Sequence, residues 1–229
     1  MRIGILCSIP EESKHFDLIA NTSQKYGGRT FFKNKIKSNE IIIVECGIGK
    51  VNAAIVSTLL IQKFECDLLI FCGTGGGIDR TLEIGDVILG ESIIQYDYGS
   101  IENDIKKVFR AGKIPLGICN KDIEFKIDSK IKKLIMLNLP DLKIGKIITG
   151  DRYVNCKNAR KHLFEKFSAQ VVDMESGAVV QVSEQFGIKS LIIRSISDFA
   201  ENNLKTSLTN IKLASKNSFK TVKKILNII

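Results

Sequence analysis

Short apolar runs alternate along the chain with stretches in which apolar positions recur every three to four residues, the pattern of strands alternating with amphipathic helices. Apolar side chains crowd residues 2–8, which predicts a first strand running into the Pro10-Glu11-Glu12 turn and a short helix. Paired strands are expected near residues 29–35 and 40–45. Gly47-Ile48-Gly49-Lys50 then opens a helix on which Val51, Ala54, Ile55, Thr58, Leu59 and Gln62 fall at helical spacing. Residues 67–72 are apolar and followed by glycine, which suits a central parallel strand. Another strand pair is expected over 86–96, then a long, partly helical excursion over 98–130, where Gly99, Gly112 and Gly117 break any period. Strands at 143–148, 171–173 and 190–195 alternate with helices at 158–166 and 175–185, and an amphipathic helix finishes the chain. No repeat or linker interrupts this order. It implies a single α/β domain over residues 1–229, three layers α/β/α around a mixed, mostly parallel sheet. Ligands of such sheets sit beyond the carboxyl ends of the strands. Glu12, the glycine run 73–77, Tyr153, Glu175 and Asp198 all follow expected strand ends.

Composition narrows the class. With 44% hydrophobic and 26% charged residues and three prolines in 229, the chain reads as an ordinary globular enzyme, not a disordered one. No apolar run approaches the roughly 20 residues that span a bilayer. The apolar start of the chain runs straight into Glu11-Glu12 and is read as a strand, not a secretory leader. Cytoplasmic residence is expected, and the six cysteines, none in a C-x-x-C pair, fit reduced and mostly buried thiols. His15 and His162 stand apart from each other and from any cysteine cluster, which argues against a metal site. The formal charge of +9 is spread over scattered lysines. Lys212, Lys216, Lys220, Lys223 and Lys224 fall opposite Ile211, Ala214, Phe219, Val222, Ile225, Leu226 and Ile229, so they read as the solvated face of the last helix. No interleaving of aromatic with basic residues points to nucleic acid.

Phe71-Cys72-Gly73-Thr74-Gly75-Gly76-Gly77 reads as a strand ending in a glycine loop, where backbone N–H groups could approach a ligand oxygen. It fails the dinucleotide fingerprint because Ile78 takes the last glycine position, and Gly47-Ile48-Gly49-Lys50-Val51 lacks the spacing and hydroxyl of a P-loop. Glu11-Glu12 would serve equally as helix N-terminal charges. Val172-Asp173-Met174-Glu175 places acids at the end of a buried strand, which is costly unless they are paired, functional or capping. Arg194-Ser195-Ile196-Ser197-Asp198 admits an internal Arg–Asp ion pair as its plainer reading.

Taken together, the segments 46–54, 73–77, 173–175 and 195–198 resemble the 5′-methylthioadenosine/S-adenosylhomocysteine nucleosidases of the purine nucleoside phosphorylase superfamily, over nearly the whole chain and in the same order. The resemblance implies a nucleoside phosphorylase-like domain that hydrolyses the N-glycosidic bond of an adenine thio-nucleoside without a cofactor or metal. On it, Asp198 protonates adenine N7, Ser197 orients that acid, and Glu12 is the general base for a water held by Arg194 and Thr74. The acid must keep its proton near neutral pH, which predicts burial against the base. Gly75 and Gly76 lie against the substrate, Glu175 with Met174 holds the ribose hydroxyls, and Tyr153-Val154 stacks on the base and reads its edge. Ile48, Phe109 and Pro115 are candidates for the 5′-alkylthio pocket, shared with the neighbouring subunit of a homodimer. Tyr153 stands where the family usually has phenylalanine, and Pro10 and Gly75 also depart from it. The alternatives are a phosphate-dependent nucleoside phosphorylase, which would call for several arginines near the glycine run, and a basic polyanion-binding protein on the same fold.

Overall fold

Period-two alternation in the first strand, β1 (Arg2–Cys7), sends Ile3, Ile5 and Cys7 into one apolar layer and Leu6 into another. The computed structural model describes residues 1–17, 22–103, 105–116, 122–201 and 208–229. After β1 come α1 (Pro10–Asp17), β2 (Thr22–Tyr26), β3 (Arg29–Ile36), β4 (Asn39–Glu45), α2 (Lys50–Gln62), β5 (Leu68–Gly77) and β6 (Val87–Gln95). The hairpin β7 (Gly99–Glu102) and β8 (Ile105–Val108), then β9 (Phe125–Lys126), precede α3 (Ser129–Asn138), β10 (Lys143–Thr149) and α4 (Lys157–Phe167). The chain ends with β11 (Val171–Asp173), α5 (Ser176–Gln185), β12 (Lys189–Asp198) and α6 (Leu208–Leu226).

The main sheet has the order β11-β10-β6-β12-β5-β1-β4-β3-β2, with β9 added beside β6. Its centre, β4-β1-β5-β12, is parallel, and β3 and β2 extend it antiparallel. The far end of β5 also pairs antiparallel with β11 (Val171 opposite Gly77), so β5, β12, β6, β10 and β11 close on themselves. Helices α2 and α5 cover one face through Ala53, Val56, Leu60, Ala178 and Val179. Phe16 of α1, Ile135 of α3 and Val222, Ile225 and Leu226 of α6 cover the other. Leu163 and Phe167 of α4 pack on a third cluster with Ile148 and Val172. The mixed, helix-covered sheet is the architecture the alternation implies, and among the described residues no helix is long and apolar enough to cross a membrane. The five lysines of α6 named above are exposed, as its spacing predicts.

Local differences from the pattern have identifiable causes. The glycine run is not a loop: β5 continues through Gly77 and stays paired with β12 as far as Asp198. Glycine is required there for close approach, since a Cβ on Gly75 would lie 2.6 Å from Val171 Cγ1. In place of the strand pair expected over 86–96 there is one strand, β6, whose pairing with β10 shifts register by a bulge at Gly145/Lys146. The excursion over 98–130 holds a hairpin and a short strand and, among its described residues, reaches helix only at Ser129. Strand β2 is polar and exposed throughout and gave no apolar signal. Helix α2 buries Ala53, Val56, Ser57, Leu60 and Ile61, whereas Val51 and Ile55 of the expected stripe are 71% and 53% exposed. The helix is apolar on nearly every side, so periodicity cannot choose the inward face.

That inward face gives a direct test. Leu60 is fully buried, and Leu60→Ala should lower stability by about 2–5 kcal/mol through lost burial and a residual cavity. Chemical denaturation would measure it; a loss below about 1 kcal/mol would contradict this packing.

Candidate active site

At the carboxyl ends of β1, β5, β11 and β12 lies a cavity of about 320 Å³. Of the residues expected from sequence, Glu12, Ile48, Thr74, Gly75, Gly76, Tyr153, Val154, Met174, Glu175, Ser197 and Asp198 line it. Arg194 lies fully buried behind the lining. Phe109 and Pro115 are not part of the wall that one chain provides; Phe109 is buried beside the β7–β8 hairpin, its N–H donating to the Tyr98 carbonyl at 3.0 Å. Ser8, Ile9, Arg152, Asp173 and Ile211 line the cavity as well. The sequence reading missed these as site residues, although Ser8-Ile9 follow a strand end and Asp173 sits in a segment already singled out.

Glu12 sits on the first turn of α1, where its carboxyl turns back under β5. Oε1 accepts from the Thr74 N–H (2.8 Å) and the Thr74 hydroxyl (3.0 Å). Oε2 accepts from the N–H groups of Ser8 (2.7 Å) and Ile9 (3.4 Å). Gly73 separates this carboxyl from Arg194: a Cβ there would lie 2.5 Å from Arg194 Nη1 and 2.6 Å from Glu12 Oε1, so only glycine leaves room for both. The N-terminal charge role considered for Glu12 is thus replaced by a locked, buried carboxyl.

The Arg194 guanidinium is saturated on two sides. Nε donates to Asp173 Oδ2 at 2.7 Å, Nη2 donates to Glu175 Oε2 at 3.1 Å, and the group lies 3.9 Å above the Phe71 ring. The ion pair considered from sequence therefore exists, but its partner is Asp173 and not Asp198. Thr149 Oγ1 (2.6 Å) and Ser176 Oγ also donate to Asp173. Among the described residues Arg194 Nη1 has no hydrogen-bond partner. Glu175 completes its shell by accepting from the Gly49 N–H at 2.9 Å. Asp198 is half-buried, less enclosed than an acid sealed against a base was expected to be. Ser197 Oγ donates to one of its oxygens at 2.9 Å and the Ala200 N–H to the other at 2.8 Å.

One guanidinium faces three carboxyls, and the titration of the group follows from that imbalance. Burial pushes Glu12 above the ordinary carboxylate range, against the pull of Arg194, Thr74 and Ser8. Burial likewise pushes Glu175 up to about 7, with Arg194 opposing the shift and Asp173 adding to it. Burial disfavours the Arg194 charge, yet Asp173, Glu175 and Glu12 outweigh it and hold the guanidinium protonated.

The Glu175 shift fixes a stability dependence. The unfolded chain releases this proton near 4.5 and the folded protein near 7, so the folded state binds more protons between those values. Stability contributed by this group therefore falls as pH rises across that window. Thermal unfolding of Glu175→Gln should show a shallower decline there than the parent, and an equal slope would assign the decline elsewhere.

A family profile described as the phosphorylase superfamily matches residues 2–227. A 5′-methylthioadenosine/S-adenosylhomocysteine nucleosidase of Buchnera aphidicola is 32% identical over 234 residues, covering 99% of this chain and 96% of that protein. The corresponding nucleosidase of S. pneumoniae, solved with a transition-state inhibitor, superposes with a TM-score of 0.89 at 25% identity, over 100% of this chain and 99% of that one. Futalosine hydrolase of Helicobacter pylori superposes with a TM-score of 0.86 at 26% identity, over 100% and 98%. With this agreement over the full length and a cavity built from the segments that carry the resemblance, the chain belongs to the phosphorylase superfamily, in its 5′-methylthioadenosine/S-adenosylhomocysteine nucleosidase family.

Proposed function

We propose that the protein hydrolyses the N-glycosidic bond of 5′-methylthioadenosine and S-adenosylhomocysteine, releasing adenine and the thioribose, in methionine salvage and the recycling of adenosylmethionine by-products. The observation that carries this reading is Glu12, a buried carboxyl oriented by Thr74 and Ser8 beside the free Nη1 of Arg194, in one cavity with Asp198. A water held by Glu12, Thr74 and Arg194 attacks the anomeric carbon, and Glu12 takes its proton. The transition state carries positive charge on the sugar and sends negative charge into the base. Asp198, oriented by Ser197, protonates adenine N7 and makes the base a better leaving group. Tyr153 stacks on the base, with the Val154 backbone reading its edge. Glu175 and Met174 hold the ribose, and Gly75 and Gly76 let the strand lie close against the nucleoside.

Hydrolysis is favoured over phosphorolysis because, among the described residues, no cluster of arginines surrounds Glu12: Arg152 is the arginine in the cavity lining, on the segment of Tyr153. Arg194 is committed to Asp173 and Glu175, Arg80 pairs with Glu201 at 3.5 Å, and Glu12 would repel an anion. A second substrate class, futalosine, rests on the likeness to the futalosine hydrolase. For assembly we infer a homodimer. Ile48, Val51 and Ile55, at and just beyond the cavity edge, are 54%, 71% and 53% exposed, an apolar stripe that a second copy would cover. In that arrangement the partner's Pro115 would help complete the 5′-alkylthio pocket, whereas Phe109 is buried within its own chain. Cytoplasmic residence is supported by the buried free thiols of Cys7, Cys46, Cys66 and Cys72.

Asp198→Asn should fold normally and lose roughly 10²–10⁴-fold in kcat; near-parental adenine release would remove it as the acid. Glu12→Gln should also be deeply impaired, and parental activity should need no phosphate; an absolute phosphate requirement would make the enzyme a phosphorylase. Ile55→Lys should shift the protein towards monomer in sedimentation and raise KM for the thio-nucleoside. A parent already monomeric at micromolar concentration would refute the dimer.

A further inference from the structure

The N-terminus of α2 has no cap of its own. Gly49 holds the cap position at φ 97°, and no side chain of the local sequence satisfies the free N–H groups. Two carboxylates from distant segments do so instead. Glu175 Oε1 accepts from the Gly49 N–H and Asp151 Oδ1 accepts from the Lys50 N–H, each at 2.9 Å. Lys50 then turns its side chain back on the second of these segments. Nζ donates to Asp97 Oδ1 at 2.7 Å and lies 3.9 Å from Asp151 Oδ2. The ring closes where Asp97, just past β6, accepts from the Asp151 N–H at 2.9 Å through its other oxygen. Lys50 and Asp97 are largely shielded, their side chains 19% and 17% exposed, so this pair is screened less than a surface ion pair. The approach is close enough that a Cβ on Gly49 would lie 3.3 Å from Asp151 Oδ1.

Asp151 stands two residues before Tyr153, in the segment between β10 and α4. That segment packs through Val154 on the third apolar cluster, while Arg152 is exposed and Tyr153 is 62% exposed. On its far side the Cys156 N–H donates to the Ala200 carbonyl at 3.2 Å; on its near side Asp97, Lys50 and Asp151 form the hold just described. The same helix end that grips Glu175 through the Gly49 N–H therefore also grips the segment bearing Tyr153 through the Lys50 N–H.

We propose that Asp151, with Lys50 and Asp97, is a positioning residue for base binding: it references the Tyr153 segment to the helix end that also anchors Glu175, and so sets base and ribose contacts to one frame. Asp151 does not line the cavity, so its effect passes through Tyr153-Val154. The inference rests on the assignment of Tyr153 to the base.

The test compares adenine affinity by calorimetry with KM and kcat for 5′-methylthioadenosine in four variants. Asp151→Ala should weaken adenine binding and raise KM about tenfold while kcat changes less than about threefold, the signature of lost uniform binding. Asp151→Asn keeps an acceptor for the Lys50 N–H and should stay within about threefold of the parent in all three. Should Asp151→Ala fail to fold, Lys50→Met carries the same test: it removes the ammonium between Asp97 and Asp151 and should raise both constants about threefold. Tyr153→Ala is the control for the underlying assignment and should weaken adenine at least about tenfold. Parental adenine affinity in Asp151→Ala or, in its place, Lys50→Met, alongside weakened binding in Tyr153→Ala, overturns the positioning role alone. An Asn variant as damaged as the Ala variant also overturns it. Unchanged adenine affinity in Tyr153→Ala overturns the base assignment and the inference with it.

Discussion

The buried guanidinium of Arg194 is the group on which the site is built. It is fully enclosed, tied to Asp173 and Glu175, and separated from Glu12 only by a glycine. A charge so placed is tolerated only with partners, and removing one partner from a buried pair typically costs about 3–5 kcal/mol. The partners are in turn fixed by other contacts: Asp173 by Thr149 and Ser176, Glu175 by the Gly49 N–H. Arg194 thereby locks the ends of β11 and β12, the start of α2 and the underside of β5 into one polar cluster. Among the described residues Arg194 Nη1 is left without a hydrogen-bond partner, in a cluster whose other contacts hold its members in place.

The same cluster also shifts the titration of its carboxyls. A single positive charge does not offset the burial of Glu12 and Glu175, so both are raised. A carboxyl raised in this way is a stronger base once ionised than an exposed one. Asp198 is kept out of this arrangement. It sits beside Gly76, farther along β5, and takes its hydrogen bonds from Ser197 and Ala200. Two carboxyls in one cavity with different surroundings can carry different tasks, and the strand that separates them sets the division.

Sheet closure is what brings these pieces together. β5 is long enough to pair with β12 along its length and with β11 at its end, and the glycines from 73 to 77 let it do so without side chains colliding with Arg194, Val171 or Asp198. The glycine run looked like a loop in sequence because glycine is depleted in most strands. Here its lack of side chains is what a strand requires when it passes between a buried ion cluster and a neighbouring strand.

The sequence by itself determined the strand–helix order, the mixed sheet, the solvated lysine face of α6 and the segments that converge on the cavity, because burial periodicity and turn chemistry are local properties. It also singled out Glu12, Glu175 and Asp198 by their place after strand ends, and the resemblance added Arg194. Only the tertiary structure decided which charge meets which. Arg194 could have met Asp198 four positions along the same strand, yet the closure of β11 onto β5 brings Asp173 to it instead. Tertiary packing also chose the inward face of α2, turned the expected excursion into a hairpin, and left Phe109 and Pro115 outside the cavity wall of a single chain. Each of these depends on contacts between residues far apart in sequence, and a local pattern carries no information about which of several compatible surfaces will be covered.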